Sequence, residues 1–180
     1  MHIPGRVRIG AAWLLAVPFL VFSTPTPTLL AAGCMLAALG LGIRGWAAGT
    51  VEKDRDLTTS GPYAHTRNPM YLGSFVIGVG LTLAGGGWIW PTAFTLFFLA
   101  VYVPTISREG RDLAERFGPA WAEYAADVPA FVPRLSPRST EGAAHSGFAW
   151  VRYARYREWE ALVGVLAAMA VLALKLRLAP

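Results

Sequence analysis

Two long stretches without a single charged side chain govern what this chain can fold into. Ile9 to Ile43 and Asn68 to Ser107 contain no Asp, Glu, Lys or Arg. A hydrocarbon layer about 30 Å thick takes roughly 20 apolar residues per helix, so each stretch suits a pair of membrane-crossing helices rather than one buried strand or core helix. Composition agrees, with 54% hydrophobic and 15% charged residues against roughly 25% charge in a soluble domain.

The same pattern sets aside other classes. The net charge of +5 is carried by basic residues that flank apolar segments, which fits anionic headgroups and membrane orientation rather than nucleic acid. Cys34 is the one cysteine and reads as a packing residue, so neither a disulfide framework nor a metal site is expected. Arg6 and Arg8 ahead of an apolar run have the look of a secretory leader. No small-residue cleavage site follows, and the segment is read as a retained first membrane helix.

Along the chain, Ile9 to Phe22 reads as a short first helix containing Pro18, and the Ser23–Thr28 run as a turn whose two prolines disfavour helix. Leu29 to Trp46 closes the hairpin. A polar loop spans Ala47 to Asn68. Met70 to Ala84, a triple-glycine turn, and Trp88 to Ile106 make a second hairpin, with Trp88 and Trp90 suited to headgroup level. Leu113, Phe117, Trp121 and Tyr124 fall on one helical face that Gly118-Pro119 divides. Ser136 to Gly147 reads as a loop, and Phe148 to Arg157 as a segment along the membrane surface. Trp159 to about Leu174 is a fifth apolar helix, with Lys175 and Arg177 at its end. The expectation is an all-α integral membrane bundle of about five transmembrane helices, two hairpins plus a C-terminal helix, with cytoplasmic amphipathic helices. Residues 1–135 form the core, 136–157 a linker and interfacial segment, and 158–180 the last helix. Both hairpin turns are uncharged, so the positive-inside rule puts the N-terminus, the 47–68 loop and the 107–157 segment in the cytoplasm. The two long polar segments then meet on one side, at the lipid–water boundary.

Two clusters there carry chemistry. The first runs from Arg55 through Asp56, Leu57, Thr58, Gly61-Pro62 and Tyr63 to Arg67, Asn68, Pro69, Met70, Tyr71 and Gly73. Asn68-Pro69 has the chemistry of a helix start, an N-cap followed by proline. The second holds Glu109, Leu113, Phe117-Gly118, Tyr124 and Val128-Pro129. Glu109 stands four residues before Leu113, on the apolar side of its helix, where a carboxylate needs a cation. Arg108, Arg111 or a cationic ligand would meet that need. His65 reads as a solvated loop residue.

In order and spacing these paired motifs resemble the isoprenylcysteine carboxyl methyltransferase and phospholipid methyltransferase superfamily of membrane enzymes, over Arg44 to Pro133. The resemblance implies S-adenosylmethionine as cofactor and S-adenosylhomocysteine as product. It implies cofactor contacts at Arg55, Asp56, Leu57, Thr58, Tyr63, Arg67, Asn68, Pro69, Met70, Tyr71 and Glu109, and an amphiphilic small-molecule substrate, with a carboxylate or amine nucleophile, reached through membrane lipids. It names no catalytic residue. Five positions depart from the pattern. Asn68 replaces the usual histidine, Gly110 the second glutamate of a pair and Ala130 a frequent arginine, while Arg55 and Thr105 stand where the prenylcysteine enzymes have histidine and arginine. The cofactor half is mostly kept and the substrate half is not. A true prenylcysteine methyl esterifier is therefore not expected. The localisation that follows is a bacterial inner membrane with the site facing the cytoplasm. The alternative is a non-catalytic membrane scaffold or carrier that retains the fold.

Overall fold

The computed structural model describes residues 5–51, 57–139 and 147–178, with side chains from residue 13 onward. Every regular element among them is helical: α1 (Gly5–Phe22), α2 (Pro27–Thr50), a 3-10 turn (Gly61–Ala64), α3 (Pro69–Ala84), α4 (Ile89–Phe117), α5 (Pro119–Asp127), α6 (Trp150–Arg155) and α7 (Trp159–Leu178). The two hairpins and the C-terminal helix fall where the charge-free stretches and the last apolar run place them. Helices α2, α4 and α7 are long and apolar enough to cross a membrane, while α1 and α3 are shorter apolar helices. At 1.5 Å per residue α3 is about 24 Å long, less than a bilayer core. The outward faces of α2, α4 and α7 present Met35, Leu39, Leu96, Leu99 and Leu166, a continuous apolar exterior that only lipid satisfies. The protein is an integral membrane helical bundle.

The α2–α3 pair is the tightest crossing, and its cause is glycine. Gly33 and Gly40 on α2 face Gly80 and Gly73 on α3. A Cβ built at Gly40 would lie 2.7 Å from the Gly73 carbonyl oxygen, and one at Gly33 would lie 2.4 Å from that of Gly80. The seven-residue spacing on both helices keeps one small-residue stripe against the other, so the main chains touch. Below this crossing, Phe19, Ala37, Ala84, Val165, Met169 and Leu172 form a core shared by α1, α2, α3 and α7.

The two hairpin turns lie side by side, since Thr24 N–H donates to the Gly85 carbonyl at 2.7 Å. Lys175 joins them, its Nζ donating to the carbonyls of Leu20 and Val21 at 2.8 and 3.1 Å and meeting Ser23 Oγ at 3.0 Å. The end of α7 thereby satisfies orphan carbonyls at the end of α1, rather than snorkelling free. Both uncharged turns and the end of α7 thus share one end of the bundle, and the polar segments share the other.

Three further expectations are corrected. Helix α4 does not stop at Ile106 but runs unbroken to Phe117 through Pro104, about 43 Å in all. The first charge after the apolar run, Arg108, is therefore not where the helix ends. Helix α2 likewise extends past Trp46 to Thr50. Cys34 is exposed on the outer face of α2, so it packs no core. Gly118 does divide the amphipathic face, at φ +51°, and Trp121, Tyr124 and Val128 of the following segment form a second small core with Leu57, Leu113 and Phe117.

Candidate functional site

The loop before α3 and the segment after α5 are stitched together by backbone. Arg67 N–H donates to Pro129 O at 2.9 Å, Arg134 N–H to His65 O at 3.0 Å, and Arg138 N–H to Ala64 O at 3.0 Å. Tyr124 Oη donates to Tyr63 O at 2.8 Å, and Thr66 Oγ1 donates to Phe131 O at 3.0 Å. These bonds bring the two motifs, sixty residues apart in sequence, into one layer over the ends of α2, α3 and α4. Burial raises the Tyr124 phenol above its ordinary range, with Tyr63 adding to the shift and Arg67 and Arg138 opposing it. Tyr63 is raised for the same first reason, then by Tyr156 and Glu158.

Beneath that layer lies a cavity of about 550 Å³, walled by Arg44, Val51, Tyr63, Arg67, Asn68, Pro69, Met70, Tyr71, Ser74, Tyr102, Glu109 and Leu113. Seven residues named from sequence are together here: Tyr63, Arg67, Asn68, Pro69, Met70, Tyr71 and Glu109. Leu57 instead packs in the α5 core, and Thr58 is not among the lining residues. Arg55 and Asp56 lie outside the described residues.

Glu109 is the focus of the cavity. Tyr71 Oη donates to Glu109 Oε1 at 2.6 Å, and the Tyr71 ring lies 5.4 Å from that of Tyr102, itself stacked on Phe98 at 4.4 Å. Among the described residues no cation meets the Glu109 carboxylate; Arg108 and Arg111, considered as partners, are exposed and form no ion pair with it. Glu109 is half-buried, and the Tyr71 and Tyr102 side chains line the same cavity.

Three residues behave differently from their sequence reading. Asn68 occupies the N-cap position of α3, yet its side chain makes no capping bond. Its Nδ2 donates to Ala130 O at 2.8 Å instead, pinning the loop to the valine-proline segment. His65 is half-buried rather than solvated, with Nδ1 2.8 Å from Arg134 O. A carbonyl only accepts, so Nδ1 carries the proton and Nε2 is the acceptor in the neutral ring. Arg67 spreads over the Trp121 ring, Cζ 5.4 Å from its centroid, and its buried Nε has no acceptor among the described residues.

Sequence reasoning missed Arg44, Ser74, Tyr102 and Glu158. Arg44 donates through Nε and a terminal nitrogen to both oxygens of Glu158, at 2.9 and 2.8 Å, and its other terminal nitrogen reaches Ser74 Oγ at 2.5 Å. Its own signal was available, since Arg44 is the charge that interrupts an apolar run. Nothing local signals Glu158, which is 114 positions away.

A family model described as phospholipid methyltransferase matches residues 27–120, more than half of the chain and the segment that builds the cavity. The chain belongs to the phospholipid methyltransferase family. It is 34% identical to the cobalt-zinc-cadmium resistance protein CzcN of Cupriavidus metallidurans over 73% of this chain and 66% of that protein. To the nickel-cobalt-cadmium resistance protein NccN of Alcaligenes xylosoxydans xylosoxydans it is 35% identical, over 58% and 48%. To the protein-S-isoprenylcysteine O-methyltransferase of Schizosaccharomyces pombe it is 30% identical, over 47% and 36%. The chain thus spans less than two thirds of the length of each of these relatives. No solved structure matches. Family members are membrane methyltransferases, and S-adenosylmethionine is the methyl donor typical of them.

Proposed function

We propose that this protein is an S-adenosylmethionine-dependent methyltransferase that acts on a lipid-like or membrane-partitioned small molecule at the cytoplasmic face of a bacterial inner membrane. One observation carries the reading. The two motif segments enclose a cavity of about 550 Å³ in which a carboxylate without a described counter-cation, Glu109, stands beside Tyr71 and Tyr102. The volume lies in the range of small-molecule sites, and the donor set fits a cofactor that is cationic at one end and zwitterionic at the other.

The chain's residues divide the work by charge and shape. The Tyr71 and Tyr102 faces attract a positive centre, each worth about 0.5–2 kcal/mol according to desolvation. Glu109 takes an amine or a ribose hydroxyl. Backbone donors of the loop, with Arg55 or Arg67, take the carboxylate, and Tyr63, Asn68, Pro69 and Met70 close the walls around the flat ring. When bound, the cofactor supplies an electrophilic methyl on a sulfonium, which passes to a carboxylate or amine and leaves S-adenosylhomocysteine. Positioning dominates such an in-line transfer. A carboxylate nucleophile needs no base; an amine must first lose its proton.

Binding of S-adenosylhomocysteine to the detergent-purified protein, followed by transfer of a labelled methyl into a total lipid and metabolite extract, tests the reading. Saturable heat and a labelled product support it. Absence of both leaves a second reading, a non-catalytic membrane scaffold or carrier. That reading is favoured by the departures at Gly110 and Thr105 and by the metal-resistance names of two relatives. Among the described residues no three metal-ligating side chains are grouped to hold an ion.

A further inference from the structure

The segment 147–158 lies beyond the family-matched residues 27–120, yet it is seated on the C-terminal end of α2, beside the cavity. Two glycines make the seat. A Cβ at Gly49 would lie 2.2 Å from the Phe148 ring, and one at Gly45 would lie 3.3 Å from the Tyr153 ring. The Gly49 carbonyl accepts from Ala149 N–H at 2.9 Å and from Arg152 Nε at 2.7 Å. This docking delivers the turn between α6 and α7 to the cavity, where Glu158 acts electrostatically on Tyr63 of the wall. The turn itself is forced. Arg157, just before Glu158, is the one non-glycine residue among those described with a positive φ, at +55°. A residue with a Cβ enters that region at a cost and stays only where its surroundings fix it.

What the turn aims at is Arg44. The Arg44 stem crosses to α3 over Gly73, where an added Cβ would lie 2.6 Å from Arg44 Cγ. At its tip, Glu158 accepts from Nε and one terminal nitrogen, and Ser74 Oγ accepts from the other. Ser74 Oγ passes its own proton to Met70 O at 2.9 Å. Three of the five guanidinium N–H donors are thereby committed, and one remains on each terminal nitrogen. Arg44, Ser74 and Met70 all stand in the cavity wall. Stability alone does not call for such an arrangement, since apolar packing of similar volume serves as well as a buried ion pair.

We propose that Glu158 is a positioning residue that holds the Arg44 guanidinium ready for the carboxylate at the amino-acid end of S-adenosylmethionine. A fork anchored before the ligand arrives loses little freedom on binding. The inference rests on the S-adenosylmethionine reading and deepens it. It adds Arg44 to the donors named for that carboxylate and gives the C-terminal segment a part in the site.

The test is calorimetric titration of the detergent-purified protein with S-adenosylhomocysteine and with methylthioadenosine, which keeps the adenine, ribose and sulfur but lacks the amino acid. Arg44→Gln and Glu158→Gln should each weaken S-adenosylhomocysteine roughly tenfold and leave methylthioadenosine within about twofold, below the melting temperature of each variant. Glu158→Asp, with the same charge on a shorter arm, should fall between the parent and Glu158→Gln. Loss of fold moves both ligands together, so the ratio of the two affinities reads positioning and not stability. An unchanged ratio in Glu158→Gln overturns the proposal. Tighter S-adenosylhomocysteine binding by that variant also overturns it, because Glu158 would then compete for Arg44 rather than support it. A parent protein that binds neither ligand strikes the S-adenosylmethionine reading and this inference with it, whereas binding of both with a constant ratio sinks the inference alone.

Discussion

Tyr71, in the first turn of α3, gives its phenolic proton to Glu109 on α4 across 2.6 Å. The bond fixes the carboxylate without neutralising it, so its charge remains directed at the cavity. Glu109→Gln should therefore weaken S-adenosylhomocysteine binding roughly tenfold or more, as loss of a charged hydrogen bond implies. Tyr71→Phe, which keeps the ring and frees the carboxylate, should cost less. Isothermal titration of the two variants gives the ranking, and an unchanged affinity for Glu109→Gln in folded protein would reduce that residue to scaffolding.

The Arg44–Glu158 pair should matter to stability. Glu158 is 6% exposed and Arg44 22%, so removing one partner strands the other in a poorly solvated place. Breaking a buried pair of this kind costs about 3–5 kcal/mol, and the partial exposure of Arg44 places this one near the lower figure. Glu158→Gln should lower the melting temperature by roughly 5–10 °C. Arg44→Gln with Glu158→Gln should recover part of the loss, and equal melting of single and double variants would deny the coupling.

At the glycine crossing the neighbours are main-chain atoms, which cannot swing aside. Gly40→Val should abolish recovery of monodisperse protein, because its Cβ meets Gly73 O and Ile77 N at 2.7 Å. Gly42, two residues on, has nothing within 4 Å of an added Cβ. Gly42→Ala should fold normally and melt no lower than the parent. Size-exclusion profiles in detergent distinguish the pair.

Alkaline pH should destabilise the protein through two tyrosines. Tyr63 and Tyr124 are held protonated above their ordinary value near 10, chiefly by burial. Above that value the unfolded chain releases these protons while the folded one keeps them, so stability falls as pH rises through the unfolded pKa. Thermal melting followed from pH 8 to 11 should show a decline setting in near pH 10, and Tyr63→Phe should make it shallower.

Much of the architecture was legible because the bilayer imposes a coarse rule. Charge-free runs of fixed length name the hairpins, and the Gly118-Pro119 pair names the break after α4. Local motifs reached as far as part of one cavity wall: Tyr63, Arg67 to Tyr71 and Glu109 line it together. What escaped was non-local. Arg44 was visible as an unusual charge, but its partner Glu158 sits in the distant turn between α6 and α7. The stripe Gly33, Gly40, Gly73 and Gly80 is written across two helices and signifies only once they are paired. Asn68 had capping chemistry, yet Ala130 O outcompeted the helix end for its amide, and His65 found a carbonyl that no local pattern predicts.

The unbroken course of α4 from Ile89 to Phe117 places Tyr102, Glu109 and Leu113 of the cavity wall on one rod. Their spacing is therefore set by the helix itself, about 1.5 Å of rise per residue, and not by a loop that could let the aromatic and the acidic parts of the wall drift apart.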